Sequence, residues 1–346
     1  MGKYSLESFE KYKVLRMRPD ENEAAAHTPD SRRFQTVRMT LFGEIPALTG
    51  PSLLIVDVPD ACGERMAETE SGLCALACAL RRSDHLLGVT LSCSLGEMKK
   101  RRLWEMAATA FAPKRYYVPV TDGPQLDYML KHGMARGLYV SGGIYDACEA
   151  FAQNNAQQLY KQMPVLVSLP EGGAAYAKYA EGWHAQAVEN ADANAGWCIA
   201  LRRLMAPKAI TAGGFAPLRF WWTNRGPAYC HEATQVRLRL AGEGTAAEMA
   251  LSDRQEFIQL ADRVHNEIVR VPQIRPGTYR LEFGVFTLEG RPLLLAHDAA
   301  TADGYYCAGE ITVDDVPRPE FEHIWDDYFP DGYYPLEDPK VPGTTA

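Results

Sequence analysis

Ser52–Asp60 reads SLLIVDVPD, and it is followed by Glu70–Arg82, ESGLCALACALRR. The first stretch is an unbroken apolar run of strand length that ends in an acid and a proline. The second is helix-length, and within it Cys74 and Cys78 lie four apart, on one face among Ala and Leu. A continuous apolar strand leading into a helix indicates a parallel sheet buried on both faces.

The same alternation runs outward along the chain. HLLGVTLSCSLGE (85–97) precedes KKRRLWEMAATAF, KRYYVPVTD (114–122) precedes PQLDYMLKHG, and GLYVSGGIYD (137–146) precedes ACEAFAQNNAQQLYKQ. MPVLVSLPEGG (163–173) leads into the helical run AAYAKYAEGWHAQAVENADANAG, and WCIALRRL closes the series. Upstream, KYKVLRMRP and RFQTVRMTLFGE have strand character, but the links after them are too short for full crossover helices. The expected architecture is α/β, an incomplete or irregular (β/α) TIM-like barrel over residues 1–205, irregular at its N-terminus; an open doubly wound sheet is the alternative.

After Pro207 the texture changes. APLRFWWTNRGPAYC, TQVRLRLAGEG, EIVRVPQI, GTYRLEFGVFTLEGRPLLLAHD and GYYCAGEITVDD alternate with period two and are separated by Gly, Pro, Asn and Asp. Strands spaced this way predict an antiparallel, Ig-like β-sandwich over 206–315. In RPGTYRLEFGVF, Tyr279, Leu281, Phe283 and Val285 share one face. The paired Trp221 and Trp222 must point to opposite sides of their strand. Parity with Leu218 and Phe220 assigns Trp222 to the core. Trp221 then looks outward, toward a domain contact, a stacked sugar or solvent, with the domain contact expected. Residues 316–346 hold seven acids, two bases, six prolines and six aromatics. Phe321, Trp325, Tyr328 and Phe329 follow helical spacing, so a short docked helix is expected there.

Composition narrows the partners. Charged residues make up 23% of the 346 and apolar residues 47%, as in ordinary globular chains. A net charge of -8 opposes a nucleic-acid surface, and the basic run Lys99–Arg102 reads as a solvated helix face. Eight cysteines without a C-x-x-C pair form no disulfide framework, and Cys74 and Cys78 are expected to be buried. No apolar run reaches the ~20 residues of a bilayer span. A cytoplasmic setting is expected for the sequence as given, with export left open if the N-terminus is truncated. The histidines lack metal-ligand spacing and the glycine pairs lack a phosphate-binding pattern, so no metal and no cofactor are expected.

FWWTNRGPAYC, RPGTYRLEFGVF, GRPLLLAH and DGYYCAGEITV, in that order, cover about a third of the chain. They resemble the C-terminal part of a bacterial family of unknown function whose members join a glycoside-hydrolase-like (β/α) barrel to a β-sandwich. Upstream, LSCSLGEM is similar to the Gly-Glu-rich strand end of that family, with Met98 where an aromatic or a second glycine is usual. AFAPKRYYVPV resembles the next strand, and MPVLVSLPEG the later strand that often ends in glutamate. Family members are typically longer at the N-terminus and often exported, and neither trait is expected from the sequence as given. The resemblance implies a carbohydrate ligand, and either glycosidic hydrolysis or glycan or partner binding by a degenerate barrel.

Hydrolysis needs two carboxyl groups flanking the scissile bond, and a barrel presents them at the C-terminal ends of its strands. Glu97 and Glu171 are the candidate catalytic pair, ending the fourth and seventh strands if SLLIVDVPD is the third. Each also reads as a loop or helix-start residue held by the helix dipole. Asp57, Asp122 and Asp146 are candidate substrate-binding residues and equally helix caps, as is Asp60. Trp183 is a candidate sugar contact that helix packing explains as well, together with His184. Glu44 shares the ambiguity of the strand-end acids.

Overall fold

The computed structural model describes residues 4–8, 12–17, 33–83, 85–112, 116–153, 156–168, 177–189, 193–242, 245–249, 251, 263–297 and 300–322. The chain divides into two compact units. One comprises Met1–His27, Cys198–Arg225 and Glu232–Ala346; the other comprises Thr28–Trp197 and Gly226–His231. The earliest strands, β1 (Tyr4–Ser8) and β2 (Tyr12–Met17), pair antiparallel with each other.

The Thr28–Trp197 unit holds seven parallel strands among its described residues. They are β3 (Gln35–Thr40), β4 (Ser52–Val58), β5 (Leu86–Cys93), β6 (Val118–Pro119), β7 (Leu138–Val140), β8 (Val165–Ser168) and β9 (Ala187–Glu189). Five α-helices fill the intervals from β4 onward: α1 (Met66–Leu80), α2 (Glu97–Ala110), α3 (Gly123–Lys131), α4 (Ile144–Gln153) and α5 (Ala177–Gly182). The strands form two sheets, β3-β4-β5 and β6-β7-β8-β9. Single parallel bridges join them at both edges, Val89 with Tyr116 and Arg33 with Val188. The order of pairing therefore returns to its start, and the sheet is curled.

Curling gives the two faces of each strand different neighbours. Leu54, Val56, Val89, Leu91, Val118, Val140, Val165, Val167 and Val188 pack outward with helix residues such as Leu73, Leu103 and Leu126. On the opposite face Phe34, Leu53, Tyr117, Tyr139, Leu166 and Ala187 form a separate small core. Parallel register keeps partners on one side, as in Leu53 with Thr36 and Tyr139 with Leu166. Full burial of each such leucine contributes roughly 2 kcal/mol. The interior is thus filled by side chains at the level of Leu53, and it becomes polar above that level.

Three expectations for this region change. KYKVLRMRP supplies β2, which pairs with β10 (Ile199–Pro207) of the other unit, and WCIALRRL supplies β10 itself; neither joins the parallel strands. The all-parallel series therefore runs from Gln35 to Glu189, and the first stretch of its unit ends at Trp197 rather than at 205. The run 174–196 is not one helix: α5 ends at Gly182 and Ala187–Glu189 is a strand. Cys74 and Cys78 are exposed. The buried stripe of α1 is Thr69, Leu73, Leu76 and Leu80, and one residue of helix is about 100° of rotation, enough to turn position 74 out of it.

The second unit continues with β11 (Ala209–Thr211), β12 (Phe215–Asn224), β13 (Thr234–Gly242), β14 (Thr245–Met249), β15 (Arg263–Arg270), β16 (Gly277–Thr287) and β17 (Tyr306–Asp314). They build two five-stranded sheets, β1-β2-β10-β12-β15 and β11-β17-β16-β13-β14. All pairs are antiparallel except β11 with β17. Side chains from the two sheets meet in one core, where Trp222 stands edge-on to Phe283 with ring centroids 6.1 Å apart. Trp222 is buried, as its parity requires. Trp221 is buried too, 7% exposed, with the Arg202 and Arg203 guanidiniums 5.0 and 5.1 Å from its ring. Of the expected tail helix, Pro319–Glu322 forms a short 3-10 turn against β12, and residues 323–346 lie outside the described residues. Among the described residues, no helix is long and apolar enough to cross a membrane.

Candidate functional site

The inward parity of the parallel strands carries the site. Beside and above the apolar layer of Leu53 and Leu166, the same face presents Thr36, level with Leu53, and Arg38 on β3, Asp57 on β4 and Thr90 and Ser92 on β5. It continues with Tyr139 on β7, Ser141 just beyond it, Ser168 on β8 and Glu189 on β9. Arg38, Asp57, Ser92, Ser141, Ser168 and Glu189 lie toward or just past the C-terminal ends of their strands, where parallel α/β folds seat ligands, while Thr36 is the second residue of β3.

A cleft of about 450 Å³ opens here, lined by Thr36, Arg38, Thr90, Ser92, Tyr139 and Ser141. Ile55, Leu91, Cys93, Trp104, Pro119, Asp122 and Gln125 complete the lining. Its size and mixed lining suit a small polar ligand.

Arg38 is the one cation among these lining residues. It donates to Asp57 Oδ1 at 2.9 Å and Oδ2 at 3.3 Å, and reaches Ser92 Oγ at 3.5 Å. The bond to Asp57 raises the Arg38 pKa above its ordinary value. Both partners are more than 40% exposed, so the pair fixes geometry more than it stabilises the fold. Glu189 is tied differently. One carboxylate oxygen accepts from the Thr36 amide and, at 2.8 Å, the Thr36 hydroxyl; the other accepts from Ser168 Oγ at 2.6 Å. Burial raises the Tyr139 phenol above its ordinary value; Glu189 adds to this, while Ser168, Ser141 and Arg38 oppose it. Tyr139 therefore lies within the field of both the Arg38 and Glu189 charges.

On the other side Asp122 caps α3, accepting from the Gln125 amide at 3.1 Å, with Pro124 in the first turn. Gln125 is buried and donates to Tyr116 Oη at 2.7 Å. Burial raises the pKa of Tyr116 and of the Cys93 thiol.

The residues singled out from sequence separate accordingly. Asp122 lines the cleft, and Asp57 stands one hydrogen bond behind it through Arg38. Glu97 is the exposed first residue of α2, after Gly96, and does not line the cleft. It ends the third parallel strand segment rather than the fourth, because the series begins at β3. Glu171 lies outside the described residues. Asp146 is exposed in the first turn of α4. Trp183 stacks on Phe151 at 5.3 Å and tilts against Tyr179 at 5.9 Å, among helix residues away from the cleft. His184 stacks on Tyr160 at 3.6 Å, Asp60 accepts from Ser94 at 2.5 Å, and Glu44 is exposed in the loop after β3.

Arg38, Thr90 and Glu189 escaped the sequence reading. Arg38 stands in TVRMT, where Thr36, Arg38 and Thr40 alternate with Val37 and Met39, a pattern that marks a polar face without saying which way it turns. Glu189 ends AVE as an acid ends a strand, but the surrounding alanines mimic a helix.

No protein-family model matches the chain, and no curated protein matches it in sequence. Solved structures show weak likeness. The CARDB domain of a Pyrococcus furiosus protein is 14% identical, covering 34% of this chain and 91% of that one, with a TM-score of 0.22. A Pseudomonas fluorescens alkylpurine DNA glycosylase, solved bound to DNA containing an abasic-site analogue, is 11% identical over 72% of this chain and 55% of that one, at 0.22. A β-glucosidase from Listeria innocua, solved with laminaribiose, is 10% identical over 82% of this chain, at 0.24. This chain spans 46% of the glucosidase. Likeness of this size carries no argument about activity.

Proposed function

We propose that this chain is a carbohydrate-binding protein of glycoside-hydrolase-like build, an irregular seven-strand relative of the (β/α) barrel joined to a β-sandwich. Its ligand sits in the cleft at the C-terminal ends of the strands. The observation that carries this reading is the switch of the inward face from Leu53, Tyr117 and Leu166 to hydroxyls, a guanidinium and carboxylates along the same strands. A saccharide needs closely set donors and acceptors beside an apolar surface, and the half-buried side chains of Ile55 and Pro119 in the lining offer that surface.

Binding is favoured over hydrolysis by what surrounds the acids. A glycosidase needs one carboxyl free to give a proton to the leaving oxygen and a second free to attack the sugar or activate water. Asp57 is bound by Arg38, Asp122 caps α3 through the Gln125 amide, and Glu189 accepts from three donors across the sheet seam, so each of these carboxylates is already engaged in holding the fold. Hydrolysis is the second reading, and the strand-end position of Glu189 favours it.

Titration calorimetry against methyl glycosides and short oligosaccharides tests both. Binding is expected, weakened about 10-fold in Arg38→Met by loss of a charge-assisted hydrogen bond. Glu97→Gln leaves it unchanged. Nitrophenyl glycosides are expected to stay intact; release that disappears in Glu189→Gln, Asp122→Asn or Glu171→Gln would establish the enzyme instead. A wild-type chain that binds no saccharide overturns the proposal.

A further inference from the structure

The cleft extends into a gap between β5 and β6, and one residue accounts for the gap. The two strands touch at Val89 and Tyr116, where the Tyr117 amide donates to the Val89 carbonyl at 2.8 Å. On the other side of β6 the Val118 and Val120 amides donate toward β7, to Gly137 and Tyr139. Amides alternate along a strand, so residue 119 is the next that could donate to β5, to the carbonyl of Leu91. That residue is proline and has no N–H. The ladder stops there, and Thr90, Leu91, Ser92 and Cys93 face Pro119, Asp122 and Gln125 across the opening, with Trp104 also lining it.

Inside this opening Thr90 is 2% exposed, and its hydroxyl has no hydrogen-bond partner among the described residues. Buried hydroxyls are almost always satisfied, and one that lines a cleft is placed to serve a ligand. The neighbouring groups include two acceptors, the Asp122 carboxylate and the Leu91 carbonyl, which points the same way as that of Val89, beside the side chains of Ser92, Cys93 and Gln125. The cation Arg38, on β3, reaches Ser92 Oγ at 3.5 Å from the side away from Asp122.

We propose that the β5–β6 opening is a subsite for a neutral hydroxyl of the bound saccharide, with Thr90 Oγ1 as its hydrogen-bonding anchor and Pro119 as the residue that keeps it open. This rests on the carbohydrate reading of the cleft and adds a selectivity: hydroxyl-bearing neutral sugars are taken, and acidic sugars are refused by Asp122.

The test uses methyl glucoside, galactoside, mannoside and glucuronide, and monodeoxy analogues of whichever binds. The wild type is expected to bind a neutral glycoside at least 10-fold better than the glucuronide. Thr90→Val, close in shape, is expected to weaken that glycoside about 10-fold and to leave one monodeoxy analogue unaffected, while its unfolding midpoint is not lowered. Pro119→Val restores the missing donor; it is expected to abolish binding and to give residue 119 a slowly exchanging amide. Wild-type binding that both variants retain in full overturns the subsite and leaves the cleft reading standing. Tighter binding of the glucuronide, or a Thr90→Val effect equal on parent and every deoxy analogue, also overturns it. A wild type that binds no sugar overturns both.

Discussion

Replacing Glu189 by alanine tests how the curled sheet is closed. The seam between β9 and β3 has little backbone pairing: one bridge between Arg33 and Val188, and the Phe34 amide donating to the Val188 carbonyl at 3.3 Å. Glu189 adds three side-chain bonds, two to Thr36 across the seam and one to Ser168 on β8. Hydrogen bonds to a charged acceptor contribute about 1.5–3 kcal/mol each when well buried, and about 1 each is reasonable for this partly buried group. The three together give a loss of about 3 kcal/mol. At roughly 2–4 °C per kcal/mol for a unit of this size, the midpoint should fall by about 6–12 °C. Glu189→Gln keeps an acceptor for Thr36 and a donor for Ser168 and should cost about 1 kcal/mol. Urea unfolding measures the loss, and hydrogen exchange of the Thr36 amide localises it, since that amide donates to the lost carboxylate. A loss under about 1 kcal/mol for alanine, or unchanged protection at Thr36, would refute the idea that this carboxylate closes the seam.

Gly137→Ala should destabilise the parallel unit by about 1–3 kcal/mol, because an added Cβ would stand 2.5 Å from the ring of Tyr117, which is fixed in the inner core; an unchanged chemical-denaturation midpoint contradicts that packing. The two-sheet unit should weaken in mild acid. Burial lowers the pKa of His265 to about 4, helped by Arg263, and that of His297 to about 3. Unfolded histidine titrates near 6.5, so the unfolded chain binds the extra protons first. Their stabilising effect is complete above about pH 6.5, falls as pH drops toward about 4, and is lost for His297 only near 3. Each contributes a slope of about 1.4 kcal/mol per pH unit inside its window. His297→Gln keeps an acceptor for the Leu201 amide, which His297 Nε2 meets at 3.0 Å, and should flatten the slope by about one proton; an identical pH profile refutes the assignment.

Much of the architecture was readable because it follows from local periodicity. Apolar runs of strand length at 52–58, 86–93 and 163–168 became parallel strands, and the period-two run at 277–287 buried Leu281, Phe283 and Val285 together. Asp122 could be found as a strand-end acid before a proline-bearing helix start. Glu189 could not, because three strand residues amid alanines show no period distinguishable from a helix. Arg38 was missed for another reason: its strand was recognised, but which face would turn inward depended on its partner.

The order of side chains along each strand, and therefore the alternation of two faces, is settled by the sequence alone, since neighbouring residues of an extended chain must point oppositely. Which strands become neighbours is settled only by the fold. β2 and β10 carry the same kind of pattern as β3 and β4 yet pair with each other in the other unit, because pairing joins residues nearly two hundred positions apart and satisfies backbone groups that no local signal assigns. The cleft exists because curling brings the inner parities of separate strands together, and Pro119, an ordinary proline in the sequence, opens the sheet only because Leu91 stands across from it.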